Sequence, residues 1–174
     1  MNMYVVRHGQ TDWNKENILL GSTNRPLNQT GIEQAYKLKE KLKDVKFDHI
    51  ISSSLERAAK TANIVSNNGK IITNDNLKER DYGKLEGTKP KNIAYYWDIK
   101  INSEEHSVEN LKKFLTRIFI EMDQIIKKYQ KDENILIVTH YGVVMAIEAY
   151  FNEKFNYCFD NFLIDNCEYR RYKI

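Results

Sequence analysis

Two short apolar runs, far apart in the chain, constrain the fold most: Met3-Tyr4-Val5-Val6 and Ile135-Leu136-Ile137-Val138. Runs of β-branched and aromatic residues at this length read as strands buried on both faces. Both stop at a histidine that is followed, within two residues, by a glycine: Arg7-His8-Gly9 and Thr139-His140-Tyr141-Gly142. In an open α/β sheet, the residues just beyond the carboxyl ends of parallel strands face the ligand crevice. If the two strands are neighbours, His8 and His140 meet at one sheet edge.

The segments between these runs supply the helices that such strands need. Thr30-Gly31-Ile32-Glu33 has the form of a capping box, and Ala35, Leu38 and Leu42 continue a helical stripe. Asp48 to Ile51 reads as a second strand closed by Ser52-Ser53-Ser54, one of which is placed to cap the next helix. That helix carries Arg57, runs to about Asn68, and is stopped by Gly69. Lys70 to Thr73 reads as a third strand. Residues 77–87 are polar with two glycines and read as a loop. Residues 88–106 lack a pattern and hold the cluster Tyr95-Tyr96-Trp97. Ser107 is placed to cap a long helix whose stripe is Leu111, Phe114, Leu115, Ile118, Met122, Ile125, Ile126 and Tyr129. A helix from about Val143 to Phe151 and one or two antiparallel edge strands in the tail complete the chain. The order β-α-β-α-β-loop-α-β-α-β predicts an α/β fold of three layers, α/β/α, with a mainly parallel central sheet and a small cap insertion around 88–106.

With 174 residues, one domain spanning 1–174 is expected. A net charge of +3 and no run of Lys/Arg argue against a nucleic-acid partner. No stretch approaches the roughly 18 apolar residues of a membrane span, and no secretory signal pattern opens the sequence. The two cysteines, Cys158 and Cys167, form neither a disulfide framework nor a zinc-ligand spacing. Reduced thiols in a cytoplasmic protein are the expectation. The tail edge strand leaves monomer or homodimer open.

Arg57, near the start of a helix, and Glu79, in the loop after the third strand, fall at the same sheet edge as the two histidines. Two arginines and two histidines around one small volume describe a phosphate cradle. No cofactor and no metal is required where Arg and His supply the positive charge. His49 and His106 match no motif, and Cys158 reads as a small buried hydrophobe.

At this point the sequence resembles the histidine phosphatase superfamily, in its phosphoglycerate mutase-like branch. Five segments match in order: Arg7-His8-Gly9-Gln10-Thr11; Asn14 with Gly21 and the Pro26-Leu27…Thr30-Gly31 turn; Ser53-Ser54-Leu55-Glu56-Arg57-Ala58 with Thr61-Ala62; Leu77-Lys78-Glu79…Gly83…Glu86-Gly87; and Thr139-His140-Tyr141-Gly142-Val143. The resemblance implies that His8 is the nucleophile that becomes phosphorylated. It implies that Arg7, Arg57 and His140 bind the phosphoryl oxygens, with Asn14, Gln10 and Tyr141 beside them. Glu79 would be the general acid and then the base, with Glu86 its chief rival. Arg80 and Tyr82 resemble the mutase form of their loop, in which both touch substrate. Against a mutase, no Arg lies between Arg80 and Arg117 to grip a second acid group, and only Lys89 and Lys91 could substitute. The expectation is therefore a metal-independent phosphomonoesterase acting on a small-molecule phosphate ester. A cofactor-dependent phosphoglycerate mutase is the alternative, and a non-catalytic phospho-ligand binding domain a more remote one.

Overall fold

The computed structural model describes residues 1–89, 91, 97, 106–152 and 162–174. Tyr95, Tyr96, Cys158 and most of the expected cap at 88–106 lie outside the described residues. A five-stranded sheet carries the fold, in the order β3-β2-β4-β1-β5. The strands are β1 (Asn2–Arg7), β2 (His49–Ser53), β3 (Ile71–Asn74), β4 (Asn134–Thr139) and β5 (Tyr169–Lys173). The first four are mutually parallel, and β5 runs antiparallel along the outer side of β1. β1 and β4 are neighbours, with Asn2 opposite Asn134 and Arg7 opposite Thr139.

Alternation along the central strands sorts side chains to two faces. Met3, Val5, Ile51, Ile135 and Ile137 pack under α4 (Leu111–Lys128) and α5 (Tyr141–Phe151). Tyr4, Val6, Ile50, Leu136 and Val138 pack under α2 (Gln29–Lys41) and α3 (Glu56–Val65). This is the three-layer α/β/α arrangement. The stripe expected on α4 is buried from Leu111 to Ile125, with Ile126 and Tyr129 at its margin. The tail supplies one antiparallel edge strand, β5. No described helix is long and apolar enough to cross a membrane.

The helix caps differ from the expected ones. Asn28, not Thr30, caps α2 by accepting from the Gly31 amide. No serine caps α3: Ser53 Oγ accepts from the Leu55 amide, and the Glu56 amide reaches Asn24 Oδ1 from the preceding loop. Gly69 does not stop α3 through a left-handed turn, because Asn67 and Asn68 take the positive φ angles after it. Asn110 caps α4, while Ser107 lies outside the helix with φ 56°. The Asp12–Gln29 loop begins with a one-turn helix, α1 (Asp12–Lys15), closed by a capping box between Thr11 and Asn14.

Because four strands are parallel, their carboxyl ends share one edge. That edge receives Arg7 and His8 from β1, Ser53 from β2, His140 from β4, and the turn Asp75–Leu77 leading to Glu79 from β3. The tail braces it from the β5 side. Cys167 donates its amide to the Arg7 carbonyl at 2.9 Å, Asn166 Nδ2 donates to the His8 carbonyl at 2.9 Å, and Arg7 Nη1 donates to the Ile164 carbonyl at 2.7 Å.

Leu136 is fully buried in the middle strand, whereas Ile72 on the edge strand β3 is 39% exposed. Leu136→Ala is expected to cost about 2–5 kcal/mol in urea unfolding, and Ile72→Ala about 0.5 kcal/mol or less. Equal losses would contradict this placement of the core.

Candidate active site

His8 is buried, and its two ring nitrogens have different partners. Nδ1 lies 2.7 Å from the Gly9 carbonyl oxygen, which can only accept, so Nδ1 carries the proton. Arg57 Nε, which can only donate, lies 3.2 Å from Nε2. Nε2 is thus the unprotonated nitrogen, with its lone pair held toward a guanidinium. Burial, and then the cations Arg57 and Arg7, push the His8 pKa well below 6.5. The ring is neutral at neutral pH.

Arg57 projects from the first turn of α3 and is fully buried. Its Nη2 donates to the Gly21 carbonyl at 2.7 Å and Nη1 to the Thr23 carbonyl at 2.9 Å. Burial lowers its pKa to about 10, which leaves it charged at pH 7. Thr61, one turn further along α3, accepts from the Gly9 amide at 3.1 Å and ties the helix to the strand end.

His140 lies beside His8, with ring centroids 5.1 Å apart. Its Nε2 is 2.8 Å from Ser53 Oγ. Its Nδ1 is buried with no partner among the described residues, and the same holds for Arg7 Nε. A buried polar atom left unpaired costs about 1–3 kcal/mol, so two of them at one edge mark a place kept for a ligand. Burial, with Arg57 and then His8, holds the His140 pKa well below 6.5.

Glu79 is the carboxylate at this edge. It is buried, with Oε1 accepting from the Arg80 amide at 2.8 Å and Oε2 from the Gly142 amide at 3.0 Å. A Cβ on Gly142 would stand 2.5 Å from Glu79 Oε1, so only glycine lets the start of α5 come this close. Burial raises the Glu79 pKa despite these amides and the Arg57 charge. Beneath the loop, Arg117 of α4 donates to the carbonyls of Asn76, Lys78 and Glu79 and pairs with Glu109 at 2.8 Å. Sequence reasoning passed over Arg117 because one charge on an amphipathic helix reads as surface. Ser53, which the sequence offers as a helix cap and as part of a matching segment, carries no site role in that reading.

A cavity of about 350 Å³ opens beside this cluster. Arg7, Asn14, Asn17, Glu79, Tyr82 and Tyr141 give it polar groups, and Ile18, Leu19 and Leu20 give it an apolar wall. Asn14 Oδ1 is occupied by the Thr11 amide and hydroxyl. Tyr141 lies under the Arg7 guanidinium at 5.2 Å, and Tyr82 accepts from Trp97 Nε1 at 3.0 Å. Four expected phosphate or substrate contacts, Arg57, His140, Gln10 and Arg80, are not among the lining residues, and neither is His8. The Gln10 carboxamide accepts from Asn28 Nδ2 at 3.1 Å. Arg80 is buried over the rings of Tyr82 and Trp97, with Nε donating to the Glu109 carbonyl at 2.9 Å. Lys89 and Lys91 are exposed outside it.

The rival carboxylate is engaged elsewhere. Glu86 accepts from Ser22, Thr23 and Tyr82. Partial burial raises its pKa, but the Thr23 hydroxyl and the three amides outweigh that and hold it below the ordinary carboxylate range. A group that stays ionised is a poor proton donor. Among the described residues, no group of three or more His, Cys, Asp or Glu side chains is placed to hold a metal ion.

The family model of the histidine phosphatase superfamily, branch 1, matches residues 3–174. The chain is 34% identical over 145 residues to an uncharacterised phosphatase, PhoE, of Bacillus subtilis, covering 82% of this chain and 73% of that one. It is 31% identical over 156 residues to a metal-independent phosphoserine phosphatase of Arabidopsis thaliana, covering 82% and 65%. Among solved structures, a phosphoglycerate mutase from Bacillus anthracis superposes with a TM-score of 0.80 at 26% identity, covering 98% and 86%.

The two neutral histidines make stability depend on pH with a definite sign. Unfolded, both rings take up protons near pH 6.5; folded, they do so only well below it. Stability is therefore present above pH 6.5 and lost as pH falls below it, by up to about 1.4 kcal/mol per pH unit for each ring. The raised Glu79 has the opposite sign, so the difference between wild type and His140→Gln isolates one ring. Urea unfolding from about pH 7.5 to 5.5 is expected to show a flatter decline in the variant; parallel declines would show that His140 titrates normally.

Proposed function

The chain belongs to the histidine phosphatase superfamily, branch 1, and we propose that within it the protein is a metal-independent phosphomonoesterase acting through a phosphohistidine on His8. The observation that carries this reading is the pair of buried, unpartnered nitrogens, Arg7 Nε and His140 Nδ1, beside a His8 whose Nε2 is free of its proton. Arg7, Arg57 and His140 would hold the phosphoryl oxygens as negative charge spreads over them. His8 Nε2 donates its lone pair to phosphorus, an N–P bond forms, and the P–O bond to the substrate breaks. Glu79, kept protonated by burial and by the incoming phosphate, gives its proton to the departing oxygen. In the second half, the Glu79 carboxylate takes a proton from water. The water oxygen attacks phosphorus, the N–P bond breaks, and inorganic phosphate leaves with His8 restored.

The cavity favours hydrolysis over isomerisation. A mutase must grip the second acid group of its substrate while the phosphoryl group moves. Among the described residues lining the cavity, Arg7 is the single cation, and the others are apolar (Ile18, Leu19, Leu20, Gly142), aromatic (Tyr82, Tyr141), neutral polar (Asn14, Asn17) or acidic (Glu79). Arg80, the residue that made the loop resemble a mutase, is spent on Glu109 and two aromatic rings. The relatives carry both kinds of name, phosphatase and mutase, so the decision rests on substrate.

The protein is expected to hydrolyse p-nitrophenyl phosphate with EDTA present, and His8→Ala to lose activity on the order of 10³-fold or more. Full activity in that variant would sink the mechanism. Glu79→Gln should slow alkyl phosphates about 100-fold and aryl phosphates much less, because a good leaving group needs less protonation. Isomerisation of 3- to 2-phosphoglycerate faster than its hydrolysis would establish a mutase instead.

A further inference from the structure

We propose that Glu86 is a positioning residue: it holds the loop 21–23 so that the carbonyls of Gly21 and Thr23 aim the Arg57 guanidinium at His8 and at the bound phosphoryl group. The inference rests on the phosphate-binding role proposed above for Arg57. The contacts form one continuous chain. Glu86 Oε1 accepts from the Ser22 amide at 2.8 Å and from the Tyr82 amide at 2.9 Å. Glu86 Oε2 accepts from the Thr23 amide at 2.7 Å and from the Thr23 hydroxyl. The carbonyls that alternate with these amides, Gly21 and Thr23, point the other way and receive Arg57 Nη2 and Nη1. With both terminal nitrogens held, the remaining Nε lies 3.2 Å from His8 Nε2.

The carboxylate and the guanidinium thus grip opposite sides of the Gly21–Ser22 peptide unit, and of the two units that follow, the carboxylate holds the first by its amide and the guanidinium the second by its carbonyl. A bare loop could not hold that arrangement, because a short segment without its own secondary structure reorders easily and loses the direction of its carbonyls. Gly21 is part of the device. A Cβ there would stand 2.2 Å from Glu86 Oε1 and 2.6 Å from the Arg80 carbonyl, so only glycine admits the carboxylate. The negative charge also helps keep Arg57 ionised in its buried setting. Through the Tyr82 amide, the same carboxylate ties the loop that follows Glu79 to the loop that holds Arg57. The two halves of the site, proton transfer and phosphate binding, are therefore set relative to each other by one side chain that touches neither substrate nor nucleophile.

Positioning and acid catalysis predict different kinetics for Glu86→Gln, a variant of nearly the same shape. The carboxamide presents a donor to amides that need an acceptor, so the loop and Arg57 lose their fixed direction. Affinity for inorganic phosphate, read by calorimetry, should fall about tenfold, as for one lost charge-assisted contact. The kcat/KM for p-nitrophenyl phosphate and for an alkyl phosphate should fall by the same factor. Glu86→Ala should lose at least as much in both measurements, and Gly21→Ala should reproduce the effect through the loop. Unchanged phosphate affinity in Glu86→Gln would overturn the inference, and so would a loss confined to alkyl phosphates, which would make Glu86 an acid. Calorimetry keeps the test separate from the proposed reaction: a wild-type protein that binds phosphate but hydrolyses no ester refutes the phosphatase reading, while the response of binding to Glu86→Gln still decides the role of Glu86.

Discussion

The site depends first on the pairing of β1 with β4. Six residues of each strand lie in register, Arg7 opposite Thr139, and both strands are sealed on both faces by helices. A parallel pair buried in this way cannot slip by one residue without turning its apolar side chains to the wrong face. The same register that satisfies Val5, Val6, Ile137 and Val138 sets His8 beside His140. Catalytic geometry and core packing are therefore one constraint here. The two rings need no further contact to find each other, and their hydrogen bonds are left to decide which nitrogen carries the proton.

Around that pair, burial does most of the electrostatic work. Excluding water pushes both histidines toward the neutral form, lowers the arginines and raises Glu79. Each shift suits a site that expects an anion: neutral imidazoles, guanidiniums that remain charged, and a carboxyl inclined to hold a proton. Desolvation alone would also make an empty cluster of cations unstable. Backbone carbonyls at Gly21, Thr23 and Ile164 offset this by accepting from Arg57 and Arg7.

Much of this was legible in the sequence. The central strands and the α4 stripe follow from hydrophobic patterning, which is a local property. The histidine-bearing strand ends, Arg57 and Glu79 were legible because they sit at fixed places in a topology that the patterning predicts. At α3 a distant residue supplied the partner, whereas at α2 and α4 a nearby asparagine, Asn28 or Asn110, took the place of the expected residue. Asn24 serves the Glu56 amide across 32 residues, so the serines beside α3 were left for other tasks, one of them facing His140. Arg80 illustrates the reverse case: its sequence neighbours place it at the substrate, and Tyr82, Trp97 and the Glu109 carbonyl draw it inward. Arg117 and Glu86 act through backbone atoms, and backbone partners leave no trace in residue identity.

The position of β1 in the sheet also has a consequence in time. Its strand partners are β4 on one side and β5 on the other, and neither β2 nor β3, which separate it from β4 in the chain, pairs with it. During synthesis, β1 waits without a strand partner until β4, far along the chain, has emerged. Such an apolar strand is the sort of edge on which nascent chains associate wrongly, and closing a contact over so many residues is slow. Completion of the tail then supplies the Cys167 and Asn166 bonds to the Arg7 and His8 carbonyls. The cluster around His8 is thus complete only after β4 and β5 have both joined β1.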